Sequence, residues 1–194
     1  MALTKLNTNS LADNAVTTAK IASGVDASKL TTGDLPISSF PAGTIIQVVR
    51  NVSSTKYTNG GGGSSYLNIA NINTTITPKA ANSILFFQLS GNVFLNTVSN
   101  GQSGAQFLLK DHTNSTTLKV WRGICFNNVG NGGLSQAMQS FCLNATISAS
   151  NTNAREYRLD YRIDETYNNA GSATVGWNND SNSPQAMVIF EIAQ

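Results

Sequence analysis

Ionisable side chains are scarce in this chain. Asp, Glu, Lys and Arg make up only 11% of 194 residues, and there is one histidine, His112. The net charge of +2 comes from lysines and arginines scattered along the sequence, so the clustered basic face that nucleic acid calls for is missing. Basic and aromatic residues do not interleave as they do in a single-strand binder. Long apolar runs are lacking too. No stretch approaches the about 20 residues of a membrane span, and the opening MALTKLNTNS has no apolar secretory core. Synthesis in a cytoplasm without a secretion address is the expectation.

Cysteine is nearly absent. Cys125 and Cys142 are the two present, and cytoplasmic synthesis predicts reduced, buried thiols rather than a disulfide. Neither sits in a Cys-x-x-Cys pair, which disfavours zinc. No metal or other cofactor is expected.

The small stock of catalytic residue types weighs against an enzyme. His112 follows Asp111, but adjacency in sequence does not orient an imidazole toward an activated serine, and no Gly-x-Ser-x-Gly elbow occurs. Asp160, Asp164 and Glu165 are the candidates for a glycosidase pair. The first two stand beside arginines, which favour the charged form and disfavour a proton-donating acid. The four glycines in YTNGGGGSS, from Tyr57 to Ser65, lack the following Lys-Ser/Thr and helix of a phosphate cradle. They read as a loop at one end of a sheet.

What the chain does have is an unusual beginning. Leu6, Leu11, Val16, Ile21, Val25, Leu30 and Leu35 follow one another in steps of five with one step of four. A helix turns about 100° per residue, so a five-residue step rotates each side chain by about 140°, and in a strand an odd step flips it to the other face. Neither element gathers these residues on one side. Short turns fit better, with Ser10 and Asp13 resembling a capping box, Gly24 a stop, Asp26 a second start and Gly33 a second stop. Seven buried side chains do not offset the ordering of some thirty-five residues, so neighbouring copies or a host particle must supply contacts.

The run LADNAVTTAKIASGVDASKLTTGDLP resembles repeats in the tail-fibre and surface-fibre proteins of tailed bacteriophages, where units of the form L-x-D-N-A-V-T-x-A-K precede a β-structured tip. It covers roughly residues 5 to 35. The resemblance implies a virion protein, homotrimeric, with residues 1–35 as a stalk that intertwines and attaches to other virion proteins, either of the tail or baseplate or the major capsid protein.

PISSFP, from Pro36 to Pro41, marks a boundary, because two prolines within six residues exclude a helix and predict an extended link over 36–41. Beyond it the hydrophobic period becomes two. Thr44 to Val49 reads as a first strand, Ser83 to Thr97 as a long strand bent or bulged at Gly91, and AQFLLKDH with STTLKVWRG as a hairpin turning at Thr113-Asn114. From Arg155 to Asp164 the alternation is clearest, with Tyr157, Leu159, Tyr161 and Ile163 on one face and Glu156, Arg158, Asp160, Arg162 and Asp164 on the other. QAMVIFEIAQ closes the series. Eight or nine strands with Gly/Asn/Ser loops predict an all-β domain over 42–194, an antiparallel jelly-roll-like sandwich.

TTITPKAANSILFFQLSGNV is similar to a T-P-K-S-x-x-S-K-I-L strand pair in phage fibre tips, and QAMVIFEIA to their closing E-I-A strand. Ala81-Asn82 departs from the usual serine-rich link. Aromatics in polar loops, Tyr57, Tyr167 and Trp177, accompanied by Asn168, Asn169, Asn178, Asn179 and Asp180, suit a host-surface polysaccharide: rings stack on sugar faces while amides and carboxylates direct hydrogen bonds. Tyr167 and Trp177 serve equally well as covers for a sandwich edge. The reading is a non-enzymatic virion fibre that adsorbs to the host surface. A capsid decoration or head-fibre protein is the alternative, and a polysaccharide-degrading enzyme the third.

Overall fold

The computed structural model describes residues 37–60, 65–97, 102–128, 135–163, 170–175 and 184–194. All belong to a unit spanning Ile37–Gln194, one of two into which the chain divides. Leu6, Leu11, Val16, Ile21, Val25, Leu30 and Leu35 lie outside the described residues.

The segment between the two prolines is not extended. Ile37–Ser39 forms a 3-10 turn, and the Phe40 N–H donates to the Ile37 carbonyl at 3.0 Å. Prolines at 36 and 41 interrupt a longer helix, but they flank a three-residue turn without entering it.

Eleven strands follow among the described residues: β1 Ile45–Ser53, β2 Tyr57–Gly60, β3 Leu67–Asn68, β4 Thr74–Ile76, β5 Ile84–Thr97, β6 Gln102–Asp111, β7 Thr116–Asn128, β8 Ser135–Ser148, β9 Arg155–Ile163, β10 Ala170–Val175 and β11 Gln185–Ile192. They make two antiparallel sheets. The first runs β1-β11-β5-β10-β2, with β8 also on β5; the second runs β3-β9-β6-β7, with β4 also on β9. The sheets pack face to face as the expected sandwich.

β5 is the spine of the first sheet. β8 pairs with it over its whole length, from Ile84 opposite Ser148 to Thr97 opposite Ser135. The opposite edge is therefore shared, with β11 beside residues 84–90 and β10 beside residues 93–97. Gly91 falls at the junction. It is no bulge, since the register with β8 is unbroken there. Instead the absent side chain makes room: a Cβ on Gly91 would lie 2.9 Å from Phe141 Cζ and 3.0 Å from Gln185 Cγ. Phe141 occupies that space and meets Phe107 of the facing sheet at 4.5 Å between ring centroids.

The core lies between the sheets. Leu85, Phe87, Leu89, Val93 and Leu95 of β5 and Met187 and Ile189 of β11 face Phe107, Leu109, Tyr157, Leu159, Tyr161 and Ile163. Phe87 and Tyr157 meet edge to face at 4.9 Å. Strict alternation on β9 places its odd-numbered residues inside, as its sequence predicts.

Two segments differ from their sequence reading. YLNIANINTTITP, whose composition after the glycines suggests a single strand, is instead β3, a 3-10 turn at Ala70–Ile72 and β4. The turn brings Ile69 and Ile72, three positions apart, both fully into the core, which an extended chain cannot do because an odd step changes face. The start of the glycine-rich stretch is strand rather than loop, since Tyr57–Gly60 pairs with Ser172–Val175 of β10.

Cys142 is free and exposed, not buried. It shares the outward face of β8 with Asn144 and Thr146, while Phe141 and Leu143 on either side point inward.

Candidate functional site

Of the sequence-predicted sugar-binding residues, Tyr57 alone is among those described; Tyr167, Asn168, Asn169, Trp177, Asn178, Asn179 and Asp180 lie outside them, as do Asp164 and Glu165. Tyr57 stands on β2 rather than in a polar loop. Its half-buried ring packs against the core, and its hydroxyl accepts from the Asn71 N–H at 2.9 Å. Asn71 also donates through Nδ2 to Thr55 Oγ1 at 2.9 Å. A ring held this way braces the turn at Ala70–Ile72.

The richer polar surface is the outward face of the second sheet. Alternation on β9 projects Glu156, Arg158, Asp160 and Arg162 away from the core, and the ladders place Gln106 opposite Arg162, Leu108 opposite Asp160, and Asn68 on Asp160's other side. Asn68 Nδ2 donates to Asp160 Oδ1 at 2.8 Å and to Asn73 Oδ1 at 3.1 Å. Arg162 Nε donates to the buried Gln106 Oε1 at 2.7 Å. Its guanidinium carbon also lies 4.6 Å above the centroid of the Tyr66 ring, a cation–π stack. Tyr66, Asn68, Gln106 and Arg162 thus form a row of one ring, two amides and one guanidinium across three strands and the residue before β3. The alternation of β9 signalled Arg162 and Asp160, but Tyr66 and Gln106 join them only through strand pairing.

Glu156 and Arg158 extend this face. Arg158 Nε donates to Glu156 Oε1 at 2.8 Å, and this hydrogen bond holds the Glu156 carboxyl below the usual carboxylate range. Such a group is a poor proton donor near neutral pH. Asp111 is likewise committed elsewhere: it accepts from Asn114 N at 3.0 Å and Asn114 Nδ2 at 2.7 Å, and stands 3.7 Å from Arg155, both side chains nearly buried. It fixes the β6–β7 hairpin turn rather than orienting His112, whose backbone N–H donates to the Glu156 carbonyl at 2.8 Å. Among the described residues, no three His, Cys, Asp or Glu side chains gather as a metal site requires. No described helix is long and apolar enough to cross a membrane.

A second polar centre is internal. Glu191, fully buried on β11, accepts from Lys79 N at 2.7 Å and Ala80 N at 3.0 Å. Ser83 Oγ adds a bond at 2.7 Å, and the Gln47 amide, assigned with its nitrogen toward the carboxylate because only acceptors face that end, supplies a further donor to Oε2 at 2.9 Å. Every donor faces one carboxylate, so the loop between β4 and β5 is clasped to β11.

No known protein family matches the sequence, and no curated protein matches it. Among solved structures, the chain is similar to that of infectious bursal disease virus Gx strain, with 15% identity and a TM-score of 0.36 over 76% of this chain and 37% of that one. The VP2 subviral particle of infectious bursal disease virus is similar at 15% identity and a TM-score of 0.34, over 77% of this chain and 38% of that one. This chain spans less than two fifths of the length of either. The sandwich assignment rests on the two sheets themselves.

Proposed function

We propose that this protein is a homotrimeric virion fibre of a tailed bacteriophage. Residues 1–35 gather the three copies and fasten them to a tail or baseplate protein, 36–41 is the joint, and the sandwich over 42–194 is carried outward to adsorb to a host-surface polysaccharide. The carrying observation is the clasp around Glu191. The two segments that resemble fibre tips, TTITPKAANSILFF and QAMVIFEIA, are far apart in sequence, and the acid of one is bound by the loop of the other. A shared polar contact of this kind gives both motifs one structural purpose and favours a common tip over two chance matches. Tyr66, Asn68 and Arg162 supply the stacking and directed hydrogen bonding that a glycan needs, with the buried Gln106 holding the Arg162 guanidinium in place, and no catalytic step is assigned to them.

Immunogold labelling of intact particles with antibody against residues 42–194 tests the placement. Label at the tail is expected, together with loss of adsorption when the antibody is added first. Label over the head would replace this reading with a capsid decoration or head fibre seated on the major capsid protein. Unlabelled particles would remove the virion assignment altogether.

A further inference from the structure

The outward face of the second sheet carries more than the row from Tyr66 to Gln106. On β6 the odd-numbered Phe107 and Leu109 face the core, so Leu108 and Lys110 point outward. The ladders set Leu108 opposite Val120 of β7, and Lys110 opposite Arg158 of β9. A bulge then shifts the phase of β7. Phe107 pairs with Trp121 and Ala105 with Ile124, which leaves two residues, Arg122 and Gly123, across from Gln106. Gly123 has a φ of 62°, the left-handed conformation that admits an extra residue at such a point. The insertion lets Trp121 and Ile124, three positions apart, both pack against the core. It leaves Arg122, next to the inward Trp121, exposed on the outer face. The row through Tyr66, Arg162 and Gln106 thereby ends on a second guanidinium.

Lys110 and Arg122 stand at the two ends of a short apolar strip made by Leu108 and Val120. Each lies two positions from the strip along its own strand, in opposite directions, so about 13 Å separates them. Among the described residues, neither pairs with an acid. The two described acids of the face are engaged elsewhere, Glu156 by Arg158 and Asp160 by Asn68. We propose that the polysaccharide bound by this face is an acidic one, with sugar carboxylates meeting Lys110 and Arg122 and the rings between them lying over Leu108 and Val120. The inference rests on the glycan reading of the same sheet and adds the charge of the ligand. A guanidinium grips a carboxylate through two parallel N–H bonds, and an ammonium attracts it as a point charge. The spacing of the cations selects the polymer. A nucleic-acid strand carries one charge per about 3.4 Å and would set several phosphates over the apolar strip and beside Asp160. A sugar chain with sparse carboxylates places neutral rings there instead.

The test is calorimetry of the full chain with polysaccharide purified from the host surface, used native and after its carboxyl groups have been reduced to alcohols. Reduction is expected to weaken binding about 100-fold, because two charge-assisted contacts of about tenfold each are lost. Lys110→Gln and Arg122→Gln are each expected to weaken binding of the native polymer about tenfold, and the double variant to bind native and reduced polymer alike. Arg50→Gln removes an exposed cation from β1 of the other sheet and is expected to change neither affinity. Equal affinity of the unaltered chain for the two polymers overturns the acidic ligand and leaves the glycan reading standing. Losses from Arg50→Gln that match those from Lys110→Gln and Arg122→Gln overturn the site. An unaltered chain that binds neither polymer removes the glycan reading itself, and this inference with it.

Discussion

Ser83 Oγ donates to Glu191 Oε1 at 2.7 Å across 108 residues of sequence. The contact joins the start of β5 to the end of β11, and it works with the N–H groups of Lys79 and Ala80 rather than alone. A buried carboxylate is tolerated because its lone pairs are filled by the loop that it organises.

Glu191→Ala is therefore expected to cost about 3 kcal/mol, because the Lys79 and Ala80 N–H groups lose their acceptor inside the protein. Ser83→Ala removes one of several donors and should cost about 1 kcal/mol. Urea unfolding of the full chain measures both, and equal small losses would show that the loop finds other acceptors.

Gly91→Ala places a methyl group against the Phe141 ring and should destabilise by about 1–3 kcal/mol through overpacking. Phe141→Leu in the same chain frees part of that space. The double variant is expected to lose less than the sum of the single losses, and strict additivity in a double-mutant cycle would remove the proposed clash.

Tyr157 and Tyr161 are fully buried, and burial raises both phenols above their ordinary range, with nearby Arg155 offsetting part of the effect at Tyr157. Above pH about 10 an unfolded tyrosine loses its proton while these two keep theirs, so the unfolded state binds fewer protons and stability falls as pH rises. Their contribution is complete below that pH. The expected decline is about 1.4 kcal/mol per pH unit for each tyrosine. Ultraviolet titration should show two of the five tyrosines ionising only with unfolding; smooth titration of all five in folded protein would contradict it.

On the outward face of the second sheet, Tyr66→Ala removes the ring under Arg162 and should weaken binding of host polysaccharide at least about tenfold, equivalent to about 1.4 kcal/mol. Calorimetry with purified polysaccharide reads the affinity, and unchanged circular dichroism separates lost binding from lost fold. Undiminished affinity would move the binding surface away from Tyr66.

The sandwich was legible in the sequence wherever one strand carries its own two-residue alternation, and β9 is the clearest instance. The pattern failed where a position is decided by what lies across from it. Gly91 reads as a bend until Phe141 is seen opposite; Tyr57 reads as a loop aromatic until β10 pairs with its strand. Ile69 and Ile72 share the core because of a turn too short to leave a helical period. The surface around Tyr66 was hidden for a similar reason, since its members come from different strands and meet only through register. The Glu191 clasp was half visible, as two separate motifs with nothing to say that they touch.

β11 lies between β1 and β5 in the finished sheet, although the ribosome delivers it long after both. Until Gln185–Ile192 emerges, β1 has no neighbour on its inner side, and half of β5 presents an unpaired apolar edge. The nascent protein thus carries a strand-shaped vacancy from the completion of β5 until β11 is made, and overlapping chains on one messenger RNA bring several such vacancies close together. Copies that meet too early can fill one another's gap with the wrong strand. The moment at which β11 becomes available, and not final stability alone, therefore bears on how many chains pair correctly.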